Sequence, residues 1–167
     1  DYVPRRPPRS GMVRRPNGLQ RTKQAEIDRL LAEGRERIGN LSEREFLIAG
    51  AMLYAGEGDK GDGKVGLANS DPRMLAFFCA WLRRFFDVDE SRLRLRLYLH
   101  QGLDLDAANA LWSELTGIPL SQFEAPYRAV PDPTIRKAKH PMGCPKVRYS
   151  CARTHRAVMG LVHALLA

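Results

Sequence analysis

The sequence predicts a mixed fold of the α/β (α+β) class, because two different hydrophobic periods occur along one chain. Residues 92–100 place a leucine at every second position, which is the period of a half-buried β-strand. Residues 46–58 are apolar almost throughout, and a capping box formed by Ser42 and Glu45 precedes them, so they are expected to be a helix. Segments of both kinds alternate along the rest of the chain, which places helices and strands in the same domain.

The boundaries of the other elements follow from local signals. Asp71 and Pro72 are typical of a helix start, and Gly117 is typical of a helix end. Pro126 interrupts a run of strand-forming residues, so an irregular strand is expected there. The predicted helices are 21–37, 46–58, 74–86, 103–116 and 157–167, and the predicted strands are 64–69, 92–100, 123–130 and 146–153.

The chain divides into a basic arm or linker, residues 1–20, and one domain, residues 21–167. The arm is rich in Arg, Pro and Gly, so it is expected to be extended and flexible. Basic charge is concentrated at the two ends: residues 1–23 contain seven Arg or Lys and one acid, and residues 124–167 contain eight and two. A net charge of +8 distributed in this way predicts a polyanionic partner, most often nucleic acid. The alternative is that frequent arginine reflects only genomic base composition.

Cysteine content and hydropathy predict the compartment. The chain has three cysteines without a pairing pattern, which is typical of a reducing environment. No apolar run approaches the ~20 residues that a membrane-spanning helix needs. We therefore expect a cytoplasmic, nucleoid-associated protein with no membrane partner.

The helix predicted over residues 46–58 carries small residues at helical spacing. Ala51 and Ala55 stand four apart, as do Met52 and Gly56, so one face would allow a second backbone to approach closely. Glu57 stands at the C-terminal tip, where the helix dipole disfavours a negative charge. This unfavourable position makes Glu57 a candidate functional residue.

The strand predicted over residues 92–100 has a basic face opposite its leucines. Like charges two residues apart repel each other, and an anion lying across them would relieve that repulsion; a β-ribbon also fits the major groove of DNA. The alternative is a solvated face whose arginines pair with acids of the next strand. The residues of this face are Arg92, Arg94, Arg96, Tyr98 and His100. The next basic strand adds Lys146 and Arg148, and the proline-rich loop before it adds Arg136, Lys137 and Lys139.

With these elements in place, the middle of the chain resembles a LAGLIDADG homing endonuclease domain. The match lies in the helix motif at residues 48–58, the strand at 65–69, and the Asn-Ser-Asp turn and apolar helix at 69–78. Glu57 occupies the position of the family's acid in a degenerate motif. The basic arm and the overall layout are also similar to actinobacterial regulators that join a helix-turn-helix to a LAGLIDADG-like domain.

The resemblance implies an αββαββα-type domain whose curved antiparallel sheet lies over DNA. Arg92, Arg94, Arg96, Tyr98, Lys146 and Arg148 would then face the duplex. Because the chain has one motif, its helix would pack against the same helix of a second protomer, which implies a homodimer and a pseudo-palindromic site. The interface would contain Ala51, Met52, Ala55 and Gly56. The two Glu57 carboxylates would meet near the symmetry axis, where the family binds a divalent metal such as Mg²⁺ and hydrolyses both strands.

Three functions stay open at this point. The one that the sequence favours is a double-stranded DNA-binding regulator that does not cleave, because the family usually has Asp where this chain has Glu57, and Mg²⁺ demands near-ideal geometry. The alternative is an active homing endonuclease that makes a metal-dependent double-strand cut with Glu57. The second alternative is a basic module that binds RNA or an acidic protein.

Overall fold

A computed structural model describes residues 17–130 and 140–167 of the chain. The chain separates into two compact units, Asp1–Leu41 and Ser42–Ala167. The described part of the first unit is a single helix, α1, at Gly18–Ile38, in which no residue is buried. It begins within the segment predicted as an arm, because Asn17 and Gln20 form a capping box there. The rest of the predicted arm, residues 1–16, lies outside the described residues.

The described part of the second unit contains four helices and four strands. The predicted α+β class is therefore confirmed. The helices are α2 (Glu43–Glu57), α3 (Pro72–Phe85), α4 (Leu105–Thr116) and α5 (Ala152–Leu166). The strands are β1 (Val65–Ala68), β2 (Leu93–His100), β3 (Phe123–Ala129) and β4 (Cys144–Tyr149).

The four strands form one mixed sheet in the order β1-β4-β2-β3. β4 lies between β1 and β2 and is antiparallel to both, whereas β2 and β3 are parallel. The expectation of an entirely antiparallel sheet is therefore wrong for this last pair. The reason is that α4 connects β2 to β3, and a helical crossover returns the chain to the end at which β2 began. The element order in this unit is αβαβαββα, not αββαββα.

Three predicted boundaries also need correction. Residues Glu90–Arg92 form a turn of 3₁₀-helix, so β2 begins at Leu93 and Arg92 lies outside it. β4 starts two residues before its predicted position, and α5 starts at Ala152 instead of residue 157. α5 begins early because the chain leaves the sheet at Tyr149, which is the last residue of β4 paired with β2.

The core lies on one face of the sheet. The four leucines of β2 are at most 2 % exposed, and they pack with Val147 of β4 and with apolar residues of the helices. Two buried tryptophans tie the helices to the rest of the unit. Trp81 of α3 donates a hydrogen bond to the carbonyl oxygen of Leu47 at 3.1 Å, and Trp112 of α4 donates one to Met142 at 2.7 Å. Burial in β2 alternates with a period of two residues, as the leucine pattern of the sequence predicts.

A glycine of α2 allows α3 to pack closely against it. A Cβ atom built on Gly50 would lie 2.1 Å from Cδ1 of Trp81, whose ring is fully buried. No real Cβ atom tolerates that distance, so a side chain at residue 50 must displace the indole. The small residue at this position therefore serves packing within the subunit.

We expect Gly50→Ala to lower the free energy of unfolding by about 1–3 kcal/mol, because the added methyl group overpacks the Trp81 site. Gly160→Ala in α5 is the matched control, since nothing lies within 4 Å of a Cβ atom built there. The control is expected to gain up to about 1 kcal/mol from the higher helix propensity of alanine. Urea denaturation of both variants measures the difference. Equal stability of the two would contradict the close packing of α2 on α3.

Candidate nucleic-acid interface

The face of the sheet opposite the core is open and carries most of the predicted binding residues. Strand register arranges its side chains in three rows across the sheet. The first row is Gly66, Arg148 and Arg94; the second is Ala68, Lys146, Arg96 and Glu124; the third is Cys144, Tyr98 and Tyr127. His100 continues the face beyond Tyr98, and the two rings meet edge to face with centroids 5.5 Å apart.

The predicted arginines of β2 have different surroundings. Arg94 is half-buried, and its Nη1 donates to the carbonyl oxygens of Ser91 and Leu93 at 2.7 and 2.8 Å. Arg96 is exposed, and it has no hydrogen-bond partner within residues 17–130 and 140–167. The oxygens that Arg94 contacts carry no net charge, and neither arginine forms an ion pair with an acid among the described residues.

Arg92 does not lie on this face, which corrects the prediction. Its guanidinium lies over the ring of Tyr149 at 5.5 Å and donates to the carbonyl oxygen of Ser150. It lines a cleft of about 490 Å³ that also includes Phe86 and Cys151. The alternation of β2 does not apply to Arg92, because this residue belongs to the 3₁₀ turn before the strand.

Two of the cations on the open face are paired with carboxylates. Nζ of Lys146 lies 2.8 Å from Oδ1 of Asp59, and Arg148 forms an ion pair with Glu124 of β3. Both pairs are partly exposed, so each contributes little to stability. The alternative of a face paired to neighbouring acids is therefore realised for β4 and not for Arg94 or Arg96.

Asp59 reaches this face because β1 has a glycine beneath it. The backbone N–H of Asp59 donates to the carbonyl oxygen of Gly66 at 2.8 Å. A Cβ atom at residue 66 would lie 2.5 Å from Oδ2 of Asp59. Oδ2 is buried and accepts no hydrogen bond from the described residues. The acidic loop after α2 thus borders the cationic rows, a contact that the sequence pattern does not reveal.

The sequence predicts Tyr98 on this face, and the structure adds a second aromatic residue, Tyr127, beside it. The rings of Tyr98 and Tyr127 stack with centroids 5.2 Å apart and an interplanar angle of 21°. Arg96 pairs with Glu124 and Tyr98 pairs with Tyr127, so two residues of β3 lie opposite one residue of β2. This bulge at Ala125 and Pro126 shifts the alternation of β3 and brings Tyr127 onto the open face. In the sequence, this bulge is indicated only by the proline at residue 126, which interrupts the strand pattern.

Burial affects two groups near this face. It raises the pKa of the Cys144 thiol, which therefore stays protonated and neutral among the cations. Burial also raises the pKa of Tyr54, in α2, to about 12. The Tyr54 hydroxyl donates to the carbonyl oxygen of Asp59 at 2.6 Å and so ties the helix to the acidic loop.

Glu57 is the last residue of α2 and is exposed. The next residue, Gly58, forms a β-bridge with Leu67 of β1, which holds the helix end at the edge of the sheet. Nζ of Lys60 lies at the C-terminal end of α2, where it donates to the carbonyl oxygens of Tyr54 and Gly58 at 2.8 and 2.7 Å. Lys60 supplies the positive charge that the helix C-terminus favours, so Glu57 is less unfavourable than the sequence suggests.

The Mg²⁺ centre that the resemblance implies would be shared between two protomers. No three acidic, histidine or cysteine side chains within residues 17–130 and 140–167 converge on a common point. Glu57 would contribute a single carboxylate from each protomer.

The predicted interface residues of α2 divide between two faces. Ala51 is fully buried within its own subunit, so its assignment to a subunit interface is wrong. Met52 and Gly56 are exposed, and Ala55 is half-buried. The small side chain at residue 51 belongs to the face of α2 that packs in the core.

The predicted binding residues of the proline-rich loop, Arg136, Lys137 and Lys139, lie outside the described residues.

None of the helices in residues 17–130 and 140–167 is both long enough and apolar enough to cross a membrane.

Comparison of the chain with protein-family models, with curated proteins and with solved structures finds no match in any of the three. The LAGLIDADG-like class therefore stays a hypothesis drawn from the residues of the motif.

If phosphates bind to the open face, Glu124 competes with them for Arg148. We expect Glu124→Gln to strengthen binding to duplex DNA severalfold and to steepen the salt dependence by about one ion per protomer. Fluorescence anisotropy over a series of salt concentrations measures both. Glu114→Gln removes the same charge from an exposed position of α4 and is the control. Identical behaviour of the two variants would show that Glu124 does not compete with the ligand.

Proposed function

We propose that the chain is a double-stranded DNA-binding regulator of the LAGLIDADG-like class that acts as a homodimer and does not cleave its site. The observation that carries this proposal is the open face of the sheet. Four cationic side chains and two carboxylates lie on this face, so its net charge is positive, and the leucines of β2 are buried on the opposite face. The cations are Arg94, Arg96, Lys146 and Arg148. A basic surface of this kind favours the phosphate backbone of nucleic acid, and a nucleoid location follows from that partner.

The outer face of α2 supports the homodimer. Met52 is 44 % exposed at its centre, with half-buried Ala49 and exposed Gly56 one turn away on either side. Apolar depressions lie on both sides of the helix, one lined by Leu53 and Phe77 and the other by Leu161. A second copy of α2 would cover this apolar surface. Bringing two open faces together would also match a pseudo-palindromic site.

The proposal is tested by selecting a target from a pool of random duplexes and then measuring affinity against salt concentration. We expect Arg94→Ala combined with Arg96→Ala to weaken binding at least tenfold and to lower the salt slope by about one for each phosphate that is no longer bound. Arg84→Ala combined with Arg153→Ala is the control, because it removes the same charge from exposed positions of α3 and α5, away from the open face. An unchanged slope in the β2 variant would mean that this face does not bind phosphate.

A cleavage assay and a comparison of RNA with duplex DNA distinguish the competing functions. Cleavage of the selected duplex with Mg²⁺, abolished in Glu57→Gln, would establish an endonuclease in place of a regulator. Equal affinity for RNA and for duplex DNA, without any selected sequence, would establish a non-specific basic module.

Met52→Glu is expected to shift the protein from dimer to the 18.8 kDa monomer, because it places a charge at the centre of the outer face of α2. Leu120→Glu is the control, since Leu120 is 56 % exposed in the turn before β3. Sedimentation across a range of protein concentrations gives the mass. A Met52→Glu variant that remains dimeric, or a wild-type protein that is monomeric at every concentration, would exclude this interface.

A further inference from the structure

The open face contains a pocket of about 400 Å³ beside the aromatic pair. Tyr98 and Tyr127 form its aromatic wall and are 42 % and 55 % exposed. Ala68 of β1 and Cys144 of β4 supply small, uncharged groups to the lining. Because the Cys144 thiol stays neutral, this lining is suited to an uncharged, flat group.

Two cations complete the lining of the pocket. Arg96 is exposed, and Lys146 keeps 40 % of its side chain exposed while it pairs with Asp59. Arg96 and Lys146 are paired across β2 and β4, in the row next to the one that contains the tyrosines. The pocket therefore combines an aromatic surface with positive charge at its edge, which is the complement of a nucleotide with its base and its phosphate.

The bulge in β3 creates this arrangement. Without the extra residue, strict alternation from Glu124 would direct residue 127 towards the core and leave Tyr98 unpaired. Pro126 has no N–H and stands on an edge strand, where a missing ladder bond is tolerated. The irregularity of β3 is thus what pairs the second ring with the first.

We propose that this pocket holds one unstacked nucleotide of the bound DNA, with its base against the ring of Tyr127 or Tyr98 and its phosphate at Arg96. This inference rests on the proposed function and adds a requirement to it. The face of a base inside an intact duplex is covered by its neighbours, so it reaches an aromatic side chain only after leaving the stack. Aromatic side chains on the exposed face of a four-stranded sheet are a recurrent means of stacking unpaired bases.

The test compares two duplexes that differ in a single nucleotide. One is the fully paired target, and the other carries one additional, unpaired 2-aminopurine in the same sequence, placed in turn at successive positions. We expect the wild-type protein to bind the bulged duplex at least tenfold more tightly at one or more positions, because unstacking has already occurred. Stacking of the probe on a tyrosine is expected to quench its fluorescence at those positions.

Two variants connect the preference to the pocket. Tyr127→Leu removes the ring and keeps an apolar side chain, so it is expected to abolish the preference for the bulged duplex. It is expected to weaken binding of the paired duplex less, because there the cost of unstacking offsets part of the stacking energy, and to leave the salt slope unchanged because no cation is lost. Tyr127→Phe keeps the ring and is expected to keep the preference. Thermal unfolding of both variants verifies that β3 remains folded; should Tyr127→Leu unfold, Tyr98→Leu is the corresponding variant on the central strand.

The outcomes separate this inference from the function on which it rests. Equal binding of the two duplexes, with a salt slope that still depends on Arg94 and Arg96, overturns the nucleotide pocket and leaves the DNA-binding function intact. A preference that persists without either ring also overturns the pocket. Failure to bind any duplex overturns both. Tighter binding of the corresponding single strand than of the bulged duplex overturns the inference as well, because the ligand would then be a single strand.

Discussion

Burial of one face of β2 is the constraint from which the rest of this unit follows. Side chains alternate along a strand, so placing the four leucines of β2 in the core sends Arg94, Arg96 and Tyr98 to the opposite face. A slip of one residue would drive guanidinium groups into the apolar interior, at a cost of several kcal/mol for each group. The register with β4 extends the same separation to Lys146 and Arg148. The core therefore fixes which side chains of β2 and β4 lie on the open face.

Two of the cations on the open face are held by carboxylates in weak, partly exposed ion pairs. Lys146 and Arg148 are held by Asp59 and Glu124 in pairs that remain partly open to water, where an ion pair is worth about 1 kcal/mol or less. A phosphate could replace such a carboxylate at little cost. Arg94 and Arg96 have no carboxylate partner among the described residues. In the proposed complex, the first electrostatic attraction would come from the arginines of β2, and Lys146 and Arg148 of β4 would contribute after their carboxylates are displaced.

Local patterns predicted much of the fold and less of the site. The leucine period of β2 and the capping box at Ser42 are short-range signals, and the elements that they predict are present. The parallel pairing of β3, the bulge at Pro126 and the approach of Asp59 to Lys146 depend on register between segments distant in the chain. No local period encodes them. Arg92 shows the same limit, because a single 3₁₀ turn removes it from the alternation.

The helix α2 shows how a pattern of small residues can serve two surfaces at once. Gly50 and Ala51 face inward, where Trp81 requires the space at Gly50, while Met52 and Gly56 face outward. The end of the same helix is joined to the cationic face by consecutive contacts, since Tyr54 donates to the carbonyl oxygen of Asp59 and Asp59 pairs with Lys146. Packing of α2 on α3 therefore fixes the position of the acidic loop, and the acidic loop holds one cation of the sheet. Any partner that engages the outer face of α2 does so on a helix whose inner face and C-terminal end already set the charge pattern of the open face.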